Sequence, residues 1–221
     1  MPDAADRSPR RADALSKERI VAAAVQILDA GGEKSLTFRA LSTRLRTGAG
    51  AIYWHVADKD ELLAAATEHI IGGILTDGVA DRDPRETIRA VAVGIFDVID
   101  ERPWVGAQLA RQPWQLAMVQ IFDGIGRQLH ALGVAEEALF NAGSALVNYI
   151  LGVAVQNAAN ARLLPGDVDR AVFLGVVTDR WLAYDVDDYP FVHKMAPQLR
   201  EHDDREQFLA GIDLFLAGLP C

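Results

Sequence analysis

The segment at residues 37–63, which reads TFRALSTRLRTGAGAIYWHVADKDELL, constrains the fold more than any other part of this chain. Its apolar side chains recur at helical spacing, and Thr37 is a residue type that commonly precedes the first turn of a helix. Thr47 and Gly48 predict a tight turn, followed by a second short helix over about residues 49–55 and then by a longer one. The segment therefore predicts two short helices joined by a turn.

Three large side chains with polar tips, Tyr53, Trp54 and His55, stand together at the end of the second short helix. This helix is too short to bury all three, and a fold gains little by exposing two adjacent aromatic rings to water. A partner surface is therefore expected, and the helix-turn-helix arrangement favours the DNA major groove as that surface. Packing of these side chains against the rest of the chain is the alternative.

Charge is distributed unevenly along the chain. The net charge is −9, but residues 1–60 carry ten Lys and Arg against eight Asp and Glu, whereas residues 61–221 carry twelve against twenty-three. This pattern predicts a small, mildly basic head and a large acidic body that is repelled by DNA. Residues 1–15 are predicted to be a disordered arm, whose arginines are either solvated or follow phosphates.

Composition and hydropathy bear on the location of the protein. The single cysteine, Cys221, cannot form an internal disulfide, and the N-terminal residues have no apolar stretch typical of a secretory signal, so a cytoplasmic protein is expected. Residues 141–161 contain no charged side chain and are long enough to span a bilayer. Six polar side chains interrupt this stretch, which favours a soluble helix buried on several sides over a membrane span.

Helical spacing extends through the rest of the chain, and no convincing alternating strand is present, so the fold class is all-α. Prolines and glycines set most of the predicted helix ends. The predicted helices outside the helix-turn-helix lie at about 17–30, 59–75, from 84, between Pro103 and Pro113, 114–132, 135–162, from Asp167 to 184, and 204–218, with a loop around Pro190 and Pro197.

The motifs T-F-R-A-L-S-T-R-L and A-I-Y-W-H-V-A-D-K-D-E-L-L resemble the heads of the TetR family of transcriptional regulators, most closely its tetracycline-repressor subgroup. The resemblance is good over residues 16–75. The tail REQFLAGIDLFLAGL is similar to the last helix of that subgroup, and the middle matches only in helix number and order. The resemblance implies a homodimer with a helix-turn-helix DNA-binding head at residues 16–58 and a helical ligand-binding and dimerisation body at residues 59–221.

The family resemblance also implies a ligand-responsive repressor, released from a palindromic operator on double-stranded DNA by a small-molecule inducer. Residues 48–51 read Gly-Ala-Gly-Ala where the family has larger side chains, so thymine methyl groups and DNA shape are expected to matter more here than hydrogen bonds to bases. Carried over by position, the DNA contacts fall on Thr37, Arg39, Gly50, Ala51, Tyr53, Trp54, His55 and Lys59, with Thr37 and Lys59 at helix ends that favour phosphates.

A pocket in the body needs mostly apolar walls with a few polar groups, which favours a mostly apolar ligand. Leu75 stands about where the family has a histidine that meets a drug–magnesium complex, which argues against tetracycline and a metal-assisted inducer. Asn148 and Gln156 could instead pair across a dimer seam, and a core with satisfied polar groups is the alternative to a pocket. The candidate ligand-binding residues are Trp104, Gln108, Trp114, Met118, Phe122, Asn148, Tyr149, Gln156 and Trp181.

No metal site or cofactor is expected, because the histidines and the cysteine lack metal-ligand spacing, and no catalytic or phosphate-binding motif points to an enzyme. A helical architectural or partner-binding protein without specific DNA recognition remains the second functional hypothesis. We expect the dimer seam on the helices at 141–161 and 204–218. The helix at 59–75 is predicted to join head and body.

Overall fold

The structure is a computed structural model that describes residues 15–79, 82–111, 114–161 and 170–219. The predicted arm, apart from residue 15, and the predicted helix start at Asp167 lie outside these residues. Within them the chain is all-α, as predicted, with no strand. The helices are α1 Lys17–Ser35, α2 Phe38–Leu45, α3 Ala49–Tyr53, α4 Lys59–Val79, α5 Pro84–Glu101, α6 Pro103–Leu109, α7 Leu116–Ala131, α8 Glu136–Ala161, α9 Arg170–Leu182, α10 Pro190–Glu201 and α11 Asp204–Ala217.

The head is built by α1, α2, α3 and the first turns of α4, each started by a local signal. Ser16, Thr37 and Asp58 cap α1, α2 and α4, since each side-chain oxygen accepts a hydrogen bond from the backbone amide three residues further on, at 3.3, 3.1 and 2.8 Å. Leu41 and Ile52 are completely buried in the head core. The helix-turn-helix is therefore fixed by caps at its ends and apolar contacts beneath it.

α4 belongs to two hydrophobic cores. Leu62 and Leu63 are buried in the core of the head, whereas Ile71 is buried in the core of the body. α4 is therefore a continuous rod between head and body, as predicted. It extends beyond the predicted end near Leu75 to Val79, and in this last stretch Thr76 donates its hydroxyl to the backbone carbonyl of Gly72 at 2.8 Å.

α5 lies at the centre of the body and contacts α4, α6, α7, α8 and α11. Its apolar stripe, which includes Ile88 and Ile95, is completely buried. At the junction with α11, Phe208 stacks on Phe96 of α5 with 4.7 Å between ring centroids. α8 and α11 also meet on Phe208, since the ring of Tyr149 lies parallel to it at 5.7 Å. These contacts hold α5, α8 and α11 as one packed layer.

The first helix leaves its regular path at the predicted glycines, since Gly32 is non-helical with φ +65°, and a short helical stretch beyond this bend continues α1 to Ser35. Two other boundaries, predicted from proline and helix length, were wrong. The predicted loop around Pro190 and Pro197 is helical: Pro190 occupies the first turn of α10, where no amide hydrogen bond is needed, and Pro197 lies inside the helix. The second short helix ends earlier than expected, which leaves His55 in the turn that follows α3.

Gly211 of α11 allows the phenol of Tyr149 to lie against the helix backbone. A Cβ atom at Gly211 would lie 1.8 Å from Tyr149 Oη, which donates to the backbone carbonyl of Phe208 at 3.1 Å. We expect Gly211→Ala to lower the free energy of unfolding by about 2–4 kcal/mol, because the ring must move and lose that hydrogen bond. Urea denaturation measures the change.

Gly73→Ala is the matched control for this substitution. Gly73 is an exposed position of α4, and a Cβ atom there would meet nothing within 4 Å. Alanine at an open helix position should raise the free energy of unfolding by up to about 1 kcal/mol. If Gly211→Ala is as stable as Gly73→Ala, Tyr149 of α8 does not lie against the backbone of α11 at Gly211.

Candidate functional site

The exposed face of the head presents two aromatic side chains. The Tyr53 ring stacks on Phe38 of α2, with 4.2 Å between centroids and 13° between planes, and the tyrosine remains 53% exposed. Phe38 itself is half-buried beneath that ring and packs against the core of the head. Trp54, directly after α3, is 90% exposed. Neither ring is buried by the rest of the chain, so both are available to a partner.

The first turn of α3 is open. Gly48 and Gly50 are exposed, and a Cβ atom at either would meet nothing within 4 Å. Ala51 beside them is half-buried. A partner surface can therefore approach the backbone of α3 closely, next to the exposed aromatic pair.

The predicted phosphate contacts lie at helix ends. Thr37 caps α2 and, with Arg39 and Arg44, lines a shallow concavity on this helix. Lys59 is the first residue of α4, and its Nζ donates to the backbone carbonyl of Glu33 at 2.8 Å. The same Nζ lies 3.9 Å from Glu33 Oε1. Lys59 is thus held by the C-terminal end of α1.

Several polar contacts hold the start of α4. Oε2 of Glu61 accepts a hydrogen bond from the Ala57 amide at 2.7 Å, and its Oε1 lies 3.1 Å from Lys17 Nζ. These contacts, the Ala57 amide first and Lys17 second, lower the pKa of Glu61 below its ordinary value. Together with the Asp58 cap, they fix the turn from which Lys59 projects.

A cleft of about 930 Å³ lies between α7 and α8 in the body. Its walls are mainly apolar, and the rings of Phe122 and Phe140 meet there with centroids 6.0 Å apart. At its rim, Arg127 forms an ion pair with Asp123 at 2.7 Å. The cleft is lined by Met118, Val119, Phe122, Asp123, Gly126, Arg127, His130, Glu136, Leu139, Phe140 and Val147.

A smaller cleft of about 400 Å³ lies among α4, α5 and α7. Leu75 of α4 and Gln120 of α7 line it, and Gln120 Oε1 is a buried acceptor without a hydrogen-bond partner. Asp123 and Arg127 line both this cleft and the larger one. The two clefts therefore share one ion pair, and the smaller one reaches the body end of α4.

The predicted ligand residues do not converge on one cleft. Met118 and Phe122 line the cleft between α7 and α8, and as ligand contacts they stay predictions. Trp181 lines a separate cleft of about 620 Å³ together with residues of α10 and α11. Trp114 is 74% exposed just before α7. Helix packing thus separates residues that were grouped only by their chemistry.

Other predicted ligand residues have structural contacts of their own. Trp104 Nε1 donates to Asp29 Oδ1 at 3.0 Å, between body and head. Gln108 is buried, and its backbone carbonyl accepts from Gln115 Nε2 at 2.8 Å. Tyr149 packs against α11, as described above. Asn148 and Gln156 are exposed on α8, away from the clefts described above.

Sequence reasoning missed Gln120, Arg127, His130 and Phe140. One signal was present, since Val119, Phe122, Gly126 and His130 recur every three or four residues and so share one face of α7. Phe140 could not be found this way, because its pairing with α7 depends on how two helices cross. Among the residues that the structure describes, no group of three or more His, Cys, Asp or Glu side chains is arranged to hold a metal ion.

One helix in the described part of the chain, Glu136–Asn160, is long and apolar enough to cross a membrane by length and composition. It contacts α5, α6, α7 and α11 and contributes Leu146 and Ile150 to the body core. A single helix of this kind is weak evidence for a membrane protein, and the membrane alternative is not favoured.

Comparison with known proteins identifies the family. Residues 20–66 match the family of bacterial regulatory proteins described as the tetR family. The transcriptional regulator SCO7222, a TetR from Streptomyces coelicolor, has the same fold with a TM-score of 0.84 and 50% sequence identity, over 93% of this chain and 97% of that one. The chain belongs to the TetR family. The predicted family and fold class are therefore confirmed.

Two further proteins are similar to this TetR-family chain. An HTH-type transcriptional regulator of Saccharopolyspora erythraea is 29% identical over 151 residues, and the match spans 66% of this chain but only 63% of that regulator. ActR of S. coelicolor, solved in complex with actinorhodin, has a TM-score of 0.75 at 20% identity over 92% of this chain and 94% of ActR, which shows a shared fold. TetR proteins are DNA-binding transcriptional regulators and not enzymes, and the architectural alternative is not favoured.

Proposed function

We propose that this TetR-family protein is a cytoplasmic, homodimeric repressor that leaves a palindromic operator when a small, mostly apolar molecule binds its body. One observation carries the proposal: α4 begins at Lys59, shortly after the exposed aromatic pair Tyr53 and Trp54, and places Leu75 in the wall of a body cleft. A ligand that fits one position of this rod better than another changes the position of the head.

In the operator complex, α3 lies in the major groove. The open turn at Gly48 and Gly50 lets base edges come close to the backbone, and the rings of Tyr53 and Trp54 suit contact with thymine methyl groups. Arg39 and the α2 N-terminus at Thr37 hold phosphates in this proposal, which is supported by the concavity that the two residues line. Indirect reading of DNA shape supplements these few base contacts.

A second copy of the chain covers one face of α8 and α11. From Asn141 onward, the exposed positions of α8 recur every three or four residues and carry no charge, as Ala145, Asn148 and Gly152 illustrate. On α11, Ala210 and Leu214 are also exposed, and Leu214 is 75% exposed. Two such helices from each protomer form a four-helix interface around a two-fold axis.

The cleft between α7 and α8 is the proposed ligand site. Its walls around Phe122 and Phe140 suit an aromatic or otherwise apolar body, and Arg127 and His130 at the rim suit one or two polar groups. The ActR complex with actinorhodin supports small-molecule binding by this fold. The ion pair of Asp123 and Arg127 connects this site to the smaller cleft at Leu75.

If α4 couples the two sites, ligand binding must lower the affinity for the operator by the same factor by which the operator lowers the affinity for the ligand. This factor is typically about 5-fold to 150-fold. A thermal-shift screen of apolar aromatic compounds identifies a ligand. Calorimetry then compares its affinity for the free protein and for the DNA complex. Equal affinity for both would show that the body is not a sensor.

Phe140→Ala tests the cleft and has a close control in Phe191→Ala. The two phenylalanines are 69% and 70% exposed, but only Phe140 lines the cleft. We expect Phe140→Ala to weaken the ligand about tenfold or more, because an aromatic wall is lost, and to leave operator binding intact. Calorimetry with the same ligand should give Phe191→Ala the wild-type affinity. Equal ligand affinity in both variants would place the site elsewhere.

A further inference from the structure

Three segments of the protein meet at the side chain of Glu33. The backbone carbonyl of Glu33 accepts a hydrogen bond from Lys59 Nζ, and its carboxylate lies 3.9 Å from the same nitrogen. Arg111, which follows α6, forms an ion pair with the other oxygen of that carboxylate. One carboxylate of the head thus faces both a cation at the start of α4 and a cation of the body.

The bend of α1 puts Glu33 in this position. Gly32 has φ +65°, a conformation that favours glycine, and it turns the last residues of α1 out of the helical path. A Cβ atom at Gly32 would meet nothing within 4 Å, so the backbone conformation and not crowding requires glycine there. The bend at Gly32 therefore directs Glu33 towards Lys59 and Arg111.

We propose that Glu33 and Arg111 are positioning residues that control how freely Lys59 binds a DNA phosphate. This inference rests on the proposed function of Lys59. When Arg111 pairs with the Glu33 carboxylate, little negative charge remains to compete with a phosphate for Lys59. When Arg111 moves away, the carboxylate attracts Lys59 and weakens its phosphate contact. All three side chains are partly exposed, so the effect is modest and depends on salt.

The position of Arg111 follows the connection between α6 and α7. Its amide donates to the Gln108 carbonyl at 3.1 Å, and that carbonyl also accepts from Gln115 Nε2 at 2.8 Å. Gln115 directly precedes α7, and Met118 on the first turn of α7 lines the ligand cleft. A ligand that shifts the start of α7 therefore moves Arg111 relative to Glu33, which adds a second link between cleft and head beside α4.

The test uses Arg111→Gln, Glu33→Gln, Lys59→Ala and their pairwise combinations. The probe is a duplex selected from a random pool by the wild-type full-length protein, with binding followed by fluorescence anisotropy over a range of salt concentrations. We expect Arg111→Gln to weaken binding roughly twofold to fivefold and Glu33→Gln to strengthen it. The slope of log affinity against log salt concentration should be shallower by about one unit in Lys59→Ala than in the wild type. The slope for Arg111→Gln should lie between these two values.

Arg205→Gln is the matched control, because Arg205 forms a similarly exposed ion pair with Asp97 in the body. Arg111→Gln should weaken duplex binding more than Arg205→Gln does, but only when Glu33 and Lys59 are both present. Arg111→Lys should bind the duplex like the wild type. An Arg111→Gln effect that equals the control, or persists in the Glu33→Gln or Lys59→Ala background, would overturn the inference. If Lys59→Ala binds the duplex like the wild type, the inference about Glu33 and Arg111 is wrong, but the proposed DNA-binding function still stands. If the wild-type protein selects no duplex from the pool, the proposed function itself is rejected.

Discussion

Ala145→Glu and Leu214→Glu are each expected to dissociate the proposed dimer and to weaken operator binding more than about a hundredfold. Both side chains are exposed in the protomer, on α8 and α11, so a carboxylate there does not disturb the core of one chain. In the dimer it would be buried without a partner charge, at a cost of several kcal/mol. A single head then loses the gain in affinity that two linked heads provide.

Sedimentation velocity and anisotropy on the selected duplex measure these two effects. Ala131→Glu is the control, because Ala131 is exposed at the end of α7 and outside the proposed seam. It should remain dimeric and bind DNA with wild-type affinity. Circular dichroism should show the same helix content in all three variants. If Ala145→Glu and Leu214→Glu stay dimeric, α8 and α11 do not form the seam.

Trp54→Ala is expected to cost about 1–3 kcal/mol of operator binding, or roughly fivefold to 150-fold in affinity. The side chain is 90% exposed, so its removal should leave the free energy of unfolding unchanged. Its loss should affect the selected duplex more than random DNA, because a ring in the groove contacts bases and not only phosphates. Anisotropy on the two duplexes separates these contributions.

Trp114 provides the control for this experiment. It is also highly exposed, at 74%, but it lies in the body just before α7. Trp114→Ala should bind both duplexes like the wild type. If the two tryptophan variants bind the selected duplex equally well, the surface around α3 does not enter the groove.

Local chemistry made the head predictable. Thr37 and Asp58 are cap residues that act on amides three positions away, and Ile52 and Val56 bury the inner face of the turn, so all of this is encoded within a few residues. The exposed aromatic pair followed from the same argument, because α3 is too short to cover it. The predicted DNA contacts depend on a partner and stay predictions.

Contacts between distant segments could not be predicted in this way. Phe140 meets Phe122 only because α7 and α8 cross at that point, and the approach of Arg111 to Glu33 requires α6 to lie against the bent end of α1. Residue type alone suggested Trp114 and Asn148 for the pocket, but helix packing leaves both exposed and outside the two clefts that flank α7.

Selection of bound duplexes from a random DNA pool tests the central claim most directly. Two heads related by a two-fold axis contact successive major grooves on one side of the duplex. We therefore expect an inverted repeat whose half-sites are about 10 bp, or roughly 34–36 Å, apart or a multiple of that, bound by an even number of protomers. Enrichment of no motif, or of a single half-site bound by one protomer, would contradict it.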